Sequence, residues 1–285
     1  MRKAFLHWYF MKPMTRIFIL ISLLLQAEFL AADIFRQQDS HGHISFSDKL
    51  SASNAPVKST VTRHRYKHYV AKVYDGDTIT LKNGERVRLL GINTPEIKSQ
   101  YRPGEVGGQT AKKWLQKKLS SGEVFLEFDT QQRDKYKRLL AHLFLENGEH
   151  LNKEIVKAGL AILTIIPPNL SYVNELKKAE VHAQKLGLGI WSMEAYRAIS
   201  VDNLPKNISG WQRFLAMPKE IKRSRKYVRL ILNDRVDVRI AIEHLALFPD
   251  LNMYLAKRVE IRGWATKNKD RYSILVRHPS SIIFL

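Results

Sequence analysis

The 285-residue chain contains no cysteine. That excludes disulfide frameworks, thiolate zinc sites and cysteine nucleophiles, and it leaves the compartment open. Acidic residues are scarce: 27 Asp and Glu stand against 47 Lys and Arg, a formal net charge of +20, with a sequence pI of about 10.0. Such a balance favours a polyanionic partner, whether nucleic acid, an anionic membrane face or an acidic polysaccharide. A merely solvated basic face is the plainer alternative. The apolar run Ile17–Leu25, "IFILISLLL", is short for a bilayer span, and extending it to Ala32 would put Gln26 and Glu28 into lipid. With "MKPMTR" before it and "AEFLAAD" after it, it reads as a secretory signal peptide, residues 1–32, cleaved after Ala32. Export would place the chain in the periplasm or outside the cell. An uncleaved anchor is the alternative, and Met11 or Met14 would give a more ordinary start.

What is present divides the rest of the chain. Residues 33–68 comprise a short module and a basic linker. The module, "IFRQQDSHGHISFSD", resembles a short segment of proteobacterial envelope proteins through Ile34, Phe35, Arg36, Asp39, Gly42, Phe46, Ser47 and Asp48. A hairpin turning at Ser40–Gly42 is expected. The linker ends in "RHRYKHY", either a nucleic-acid contact or a solvated connector. In residues 69–192 the runs "VAKVYDGDTITL" and "ERVRLLGI" flank an Asn-Gly turn, a strong hairpin signal. With Gly84 left-handed, Ile79 and Val87 share one face and Thr78 and Arg88 the other. Ala111, Trp114, Leu115 and Leu119 form a helical stripe ended by Gly122. "EVFLEF" reads as a strand, "RLLAHLFLENGEHL" as a second Asn-Gly hairpin arm, "LNKEIVKAGLA" as a helix stopped at Gly159, and Tyr172–Leu186 as another helix. Short strands with interspersed helices predict an OB-type five-stranded barrel with three helices, mainly β or α+β in class. After a linker, 193–210, the residues 211–285 carry 16 Lys and Arg against 7 Asp and Glu, a formal +9. They alternate as strands and predict a second small β domain. Its Arg229, Arg235, Arg239, Arg262 and Arg277 form either a nucleic-acid face or the wet side of a two-faced sheet.

Four stretches carry chemistry: "DGDT" (Asp75–Thr78), Arg88, "NTPE" (Asn93–Glu96) and "DKYKR" (Asp134–Arg138). Phosphodiester hydrolysis needs cations on the non-bridging oxygens, a positioned water and a base. A hard divalent cation assists both tasks and takes oxygen ligands. Asp77, the Asn93 side chain and the Thr94 carbonyl can supply those oxygens, Glu96 can activate the water, and Arg88 and Arg138 are forks suited to phosphate. Pro95 stiffens the turn between them. Singly, each motif is an ordinary turn, helix start or charge run; their order together is the signal.

These stretches, with "KAEVHAQKLGLGIW", resemble the staphylococcal nuclease-like (thermonuclease) family over Tyr69 to Trp191. The resemblance implies an OB-type barrel and an endonuclease that cleaves DNA and RNA with Ca2+, leaving 3′-phosphate and 5′-hydroxyl ends. It implies metal ligation by Asp77, Asn93 and Thr94, catalysis by Arg88, Glu96 and Arg138, and phosphate binding by Lys135 and Tyr136. Asp75 falls beside the metal site. Asn93 departs from the family's frequent Asp, which predicts weaker calcium binding or a shifted metal preference. The base-pocket tyrosines are replaced by "LTIIPPN", leaving Tyr172 as a possible substitute. Two other classes compete: a non-catalytic nucleic-acid-binding protein on the same barrel, and an envelope structural protein. The enzyme requires that folding gather Asp77, Arg88, Glu96 and Arg138 around one pocket.

Overall fold

The computed structural model describes residues 64–98, 103–205, 208 and 210–285, with the backbone of two strands nearer the N-terminus. These are β1 (Phe35–Gln38) and β2 (Ile44–Ser47), paired antiparallel with Phe35 opposite Ser47. The expected turn at Ser40–Gly42, together with Ile34, Asp48 and the signal segment 1–32, lies outside the described residues. No helix among the described residues is long and apolar enough to cross a membrane.

The barrel begins with β3 (Tyr66–Val73), whose first three residues fall in the stretch expected to be linker. Arg65 just before it is engaged, with Nε 3.1 Å from Glu127 Oε2 and its guanidinium 3.5 Å above the Phe144 ring. Next come β4 (Thr78–Leu81), β5 (Arg86–Leu89) and β6 (Ile92–Asn93). They are followed by helix α1 (Gly108–Lys118), β7 (Glu123–Arg133) and β8 (Leu139–Phe144). Helix α2 (Leu151–Lys157), β9 (Ile162–Leu163) and helix α3 (Val173–Lys185) complete this part. Five strands close in the order β3-β4-β5-β8-β7. The Asn-Gly turn behaves as its sequence predicts. Gly84 has φ 87°, Ile79 faces Val87 and Thr78 faces Arg88. Ile79, Leu81, Val87 and Leu89 are therefore buried in the barrel, and the alternate residues project outward. On α1, Ala111, Leu115 and Leu119 are buried with Trp114 at the margin of the same core. Asn152 of α2 splices the barrel's open end: its Oδ1 accepts from Leu143 N at 2.9 Å and its Nδ2 donates to Leu90 O at 2.9 Å.

A second sheet with its own apolar core follows. Its strands are β10 (Ile199–Ser200), β11 (Trp211–Ala216), β12 (Glu220–Arg223), β13 (Tyr227–Ile231), β14 (Val236–Ala241), β15 (Val259–Asn268), β16 (Arg271–Val276) and β17 (Ile282–Phe284). The order is β10-β11-β15-β16-β14-β13-β12, with β17 also on β15. Strand β15 has two faces: Val259, Ile261 and Ala265 pack into the sheet's own core, while Glu260, Arg262 and Trp264 point to the other side.

That other side meets helix α3. Arg262 is 7% exposed. It donates to Glu180 Oε2, to Glu260 Oε1 at 2.5 Å and to Gln184 Oε1 at 2.8 Å. Glu180 also accepts from Leu163 N at 2.8 Å, and Arg213 binds Glu260 through Nε and Nη2 at 3.0 and 2.7 Å. Burial alone would raise the Glu260 pKa, but hydrogen bonds from Arg213 and the charge of Arg262 outweigh it and the net shift is downward. Burial pushes Glu180 up against the same guanidinium. An apolar seam of Ile162, Ile190, Tyr196 and Trp211 lies within the same region of the chain's fold. The evenly weighed expectation for the arginines therefore divides. Arg262 is neither wet nor open to nucleic acid, and Arg229 is bound to Asp237 at 2.6 Å.

Removing one member of a buried charge cluster strands the others. Arg262→Ala is expected to lower unfolding free energy by about 3–5 kcal/mol in urea titrations, against about 0.5 kcal/mol or less for the exposed Arg225→Ala. A second expectation concerns acid. His150 is buried and 3.1 Å from His142; burial, then the His142 charge, push its pKa from 6.5 down to about 2. The unfolded chain thus binds a proton that the folded chain refuses, so stability is full above pH 6.5 and falls below it. Between pH 6 and 5 the loss from this group approaches about 1.4 kcal/mol per pH unit. In His150→Gln the slope of urea midpoint against pH over that interval should flatten.

Candidate active site

The Asp-Gly-Asp turn joins β3 to β4. Gly76 is required there by close approach: a Cβ would lie 2.6 Å from Ala111 Cβ and 2.8 Å from Thr94 Cγ2. The turn thereby presses Asp77 against the 93–96 segment. Asp77 is 5% exposed, and its carboxylate is fully used. Oδ2 accepts from Thr94 N at 2.8 Å and Thr94 Oγ1 at 3.1 Å; Oδ1 accepts from Thr78 Oγ1 at 3.0 Å and lies 3.1 Å from Arg88 Nε. Asp75 is buried beside it and accepts from Asp77 N at 3.0 Å. Burial, then the Asp77 charge, raise the Asp75 pKa to about 7.

Arg88 leaves β5 beside this carboxylate. Its Nη1 donates to Leu89 O at 2.7 Å and its Nη2 to Asn93 Oδ1 at 2.9 Å. Together with Nε these use three of the five guanidinium N–H groups, so two remain for an incoming anion. Asn93 in turn donates from Nδ2 to Thr94 O at 3.1 Å. The oxygens expected to hold a metal thus lie together, with Asn93 bridging Arg88 and the Thr94 carbonyl.

The "DKYKR" stretch forms a tight loop between β7 and β8. Asp134 Oδ1 accepts from Tyr136 N and Arg138 N at 2.9 and 3.0 Å, and Oδ2 from Arg138 Nε at 2.8 Å. Burial opposes ionisation of Asp134, but the Arg138 contacts and amides win and lower its pKa. Arg138 keeps four N–H groups beyond this contact. Tyr136, 68% exposed, lies against Lys135 and Arg138, with ring-centroid distances of 5.0 and 5.6 Å.

Arg88, Asn93, Lys135, Tyr136 and Arg138 line one cavity of about 510 Å³, with Asp77 buried behind Arg88. Its wall carries the cations Arg88, Lys135, Arg138 and Arg277 against the single acid Asp134. Glu96 does not line this cavity. It is exposed on a second recess of about 560 Å³ that shares Asn93 and Trp264 with the first. The segment is turned by its backbone: Glu96 N donates to Glu105 Oε2 at 3.0 Å and Glu105 N to Glu96 O at 2.8 Å. Gly108 lets it sit on the start of α1, where a Cβ would come 2.6 Å from Glu96 O. Tyr172 does not replace the missing base-pocket tyrosines. Its hydroxyl donates to Glu127 Oε1 at 2.7 Å, and its ring packs on His142 and His150. Sequence reasoning missed Trp264 of β15, which lines the cavity and which no local signal in that strand marks. Arg277, one of the five arginines expected on a nucleic-acid face or a wet sheet face, lines the same cavity just after β16.

The donor chemistry suits a hard cation: the Asp77 carboxylate, the Asn93 side-chain oxygen and the Thr94 carbonyl converge on one turn. Asp77 lies against the Arg88 cation, with Asp75 buried beside it. No cluster of three or more His, Asp or Glu able to hold a metal occurs among the described residues; the expected set draws instead on the oxygens of Asn93 and a backbone carbonyl.

Comparison with known sequences bears on the same residues. The profile of the family described as staphylococcal nuclease homologue matches residues 86–193. The thermonuclease of Staphylococcus intermedius is 39% identical over 142 residues, covering 48% of this chain and 84% of that one. The thermonuclease of Staphylococcus hyicus is 34% identical over 156 residues, covering 52% and 90%. Endonuclease YncB of Bacillus subtilis is 35% identical over 130 residues, covering 44% and 61%. The stretch from β5 to α3, with Arg88, Asn93, Thr94, Glu96 and Arg138, falls within the profile's residues 86–193, and the chain belongs to the staphylococcal nuclease family.

Proposed function

We propose that the chain is an exported endonuclease that hydrolyses phosphodiester bonds of DNA and RNA with little sequence preference, using Ca2+. One observation carries this: Arg88 of β5 and Arg138 of the loop before β8 line one cation-rich cavity, with Glu96 on the recess beside it and Asn93 common to both. The open N–H groups of the two arginines would bind non-bridging phosphate oxygens and follow the charge that grows there in the transition state. Glu96 would take a proton from water attacking phosphorus. The P–O5′ bond breaks, leaving a 3′-phosphate and a 5′-hydroxyl. Lys135 and Tyr136 would hold a neighbouring phosphate. Asp77, Asn93 and Thr94 would hold the calcium ion, which when bound supplies a Lewis acid for the phosphate and a lower pKa for water. Export rests on the signal-like segment alone. A binding protein without catalysis has no use for a carboxylate at a phosphate site, which favours the enzyme.

Purified protein should degrade single-stranded DNA and RNA with added calcium and stop with a chelator. Glu96→Gln and Arg138→Ala should each lower kcat by roughly a hundred-fold or more without loss of the folded circular dichroism spectrum. Turnover insensitive to both substitutions would remove them from catalysis. A further expectation follows from Asn93. Asn93→Asp removes the amide that occupies the Thr94 carbonyl and adds a second anion beside Asp77. Calcium should therefore raise Tm more in the variant than in the parent protein, and equal shifts would mean that position 93 is not a ligand.

A further inference from the structure

The proposed reaction makes no use of the second sheet, yet two of its side chains stand in the walls of the site. We infer that Trp264 is a stacking platform for a nucleobase of single-stranded nucleic acid, with Arg277 a phosphate contact beside it. The second sheet then binds the strand that flanks the scissile linkage. This rests on the phosphodiesterase reading of the barrel cavity.

Trp264 lies on the wall common to both recesses, alongside Asn93. It is 40% exposed, whereas Trp211, its cross-strand neighbour on β11, is 6% exposed. Leaving a large indole open forgoes burial that the sheet gives its other tryptophan, and base stacking is a use that needs such a face. The face is held firmly. Arg262 and Glu260 precede Trp264 on the same side of β15 and are locked into the buried cluster with Glu180 and Arg213. On the barrel side the same cavity offers Ile166, 50% exposed, which has no π face, and Tyr136, 68% exposed, whose ring lies against Lys135 and Arg138. Arg213, Arg229 and Arg262 are bound to carboxylates, while Arg235, Arg239 and Arg277 enter none of the ion pairs formed among the described residues; of these three, Arg277 lines the cavity. An aromatic plane beside unneutralised cations is the chemistry of a single-strand groove, where stacking tolerates any base and arginines track the backbone. A duplex keeps its bases stacked inside and would not present one to the indole.

The test compares the full-length parent protein, Trp264→Ala, Trp264→Phe and Arg277→Ala on a fluorescently labelled single-stranded DNA oligonucleotide with calcium. Unchanged Tm in each variant establishes that the sheet is intact. Trp264→Ala should raise KM roughly ten-fold or more with kcat little changed, and Trp264→Phe should recover most of the loss. Arg277→Ala should reduce the slope of log KM against log salt by about 0.7. An unchanged KM in Trp264→Ala, with the parent protein active, overturns the inference. So does a lower KM with higher kcat, which would make Trp264 a cover over the cavity. If the parent protein turns over neither DNA nor RNA, the phosphodiesterase reading fails by itself. Fluorescence anisotropy of the same oligonucleotide in chelator then decides the inference: weaker binding by Trp264→Ala upholds it and equal binding overturns it.

Discussion

A single buried carboxylate organises the site. Asp77 accepts from a backbone amide and two hydroxyls and is ion-paired with a guanidinium, and those groups come from the start of β4, the outward face of β5 and the turn after β6. Each charge-assisted contact contributes on the order of 1.5–3 kcal/mol. Beyond their sum, they tie the turn after β6 to the β4–β5 ladder, in which Thr78 faces Arg88. Arg88 is aimed because Asp77 holds Nε while Leu89 O and Asn93 hold the other two nitrogens. Without that clamp, a long cationic side chain would sample many rotamers, and its phosphate contacts would bear the entropy of ordering it.

Much of this was legible in the sequence, for identifiable reasons. Asn83-Gly84 defines a turn with few backbone solutions, so the pairing of Thr78 with Arg88 and the inward aim of Ile79 and Val87 follow from it. The α1 stripe follows from 3.6-residue spacing. What was not legible depends on contacts between distant segments. An arginine at every second position looks the same whether the face it lies on meets water or another element, so Arg262 could not be distinguished from Arg235. Tyr172 has the composition of a pocket residue, yet the buried Glu127 captures its hydroxyl. Glu96 lies close to Asn93 in sequence, but the exchange of hydrogen bonds with Glu105 turns it into a neighbouring recess. The strand run from Val70 was legible, but its start at Tyr66 was obscured because "YKH" has a basic, aromatic composition that also suits a linker.

The second sheet is joined to the barrel part by charge as well as by apolar packing. Arg262 and Arg213 with Glu180 and Glu260 make two cations and two anions, nearly all buried. Such a cluster yields little net stability over an apolar replacement of equal volume. It does penalise any docking that leaves one member without its partners, and Trp191 closes the cluster with both guanidinium groups near its ring, at 5.3 and 5.1 Å. A polar joint of this kind specifies one arrangement, and Trp264 is positioned by that arrangement.

The cavity draws its walls from β5, from the loop before β8, and from Trp264 of β15 and Arg277 just after β16, far along the chain. Contacts so distant in sequence form slowly, because loop closure must precede them. A growing polypeptide can close its barrel and pair Asp77 with Arg88 while the indole and the last guanidinium are still unsynthesised. Full grip on a strand would then arrive only with the final β segments, so a cell making this protein would hold an incomplete version of it for most of translation.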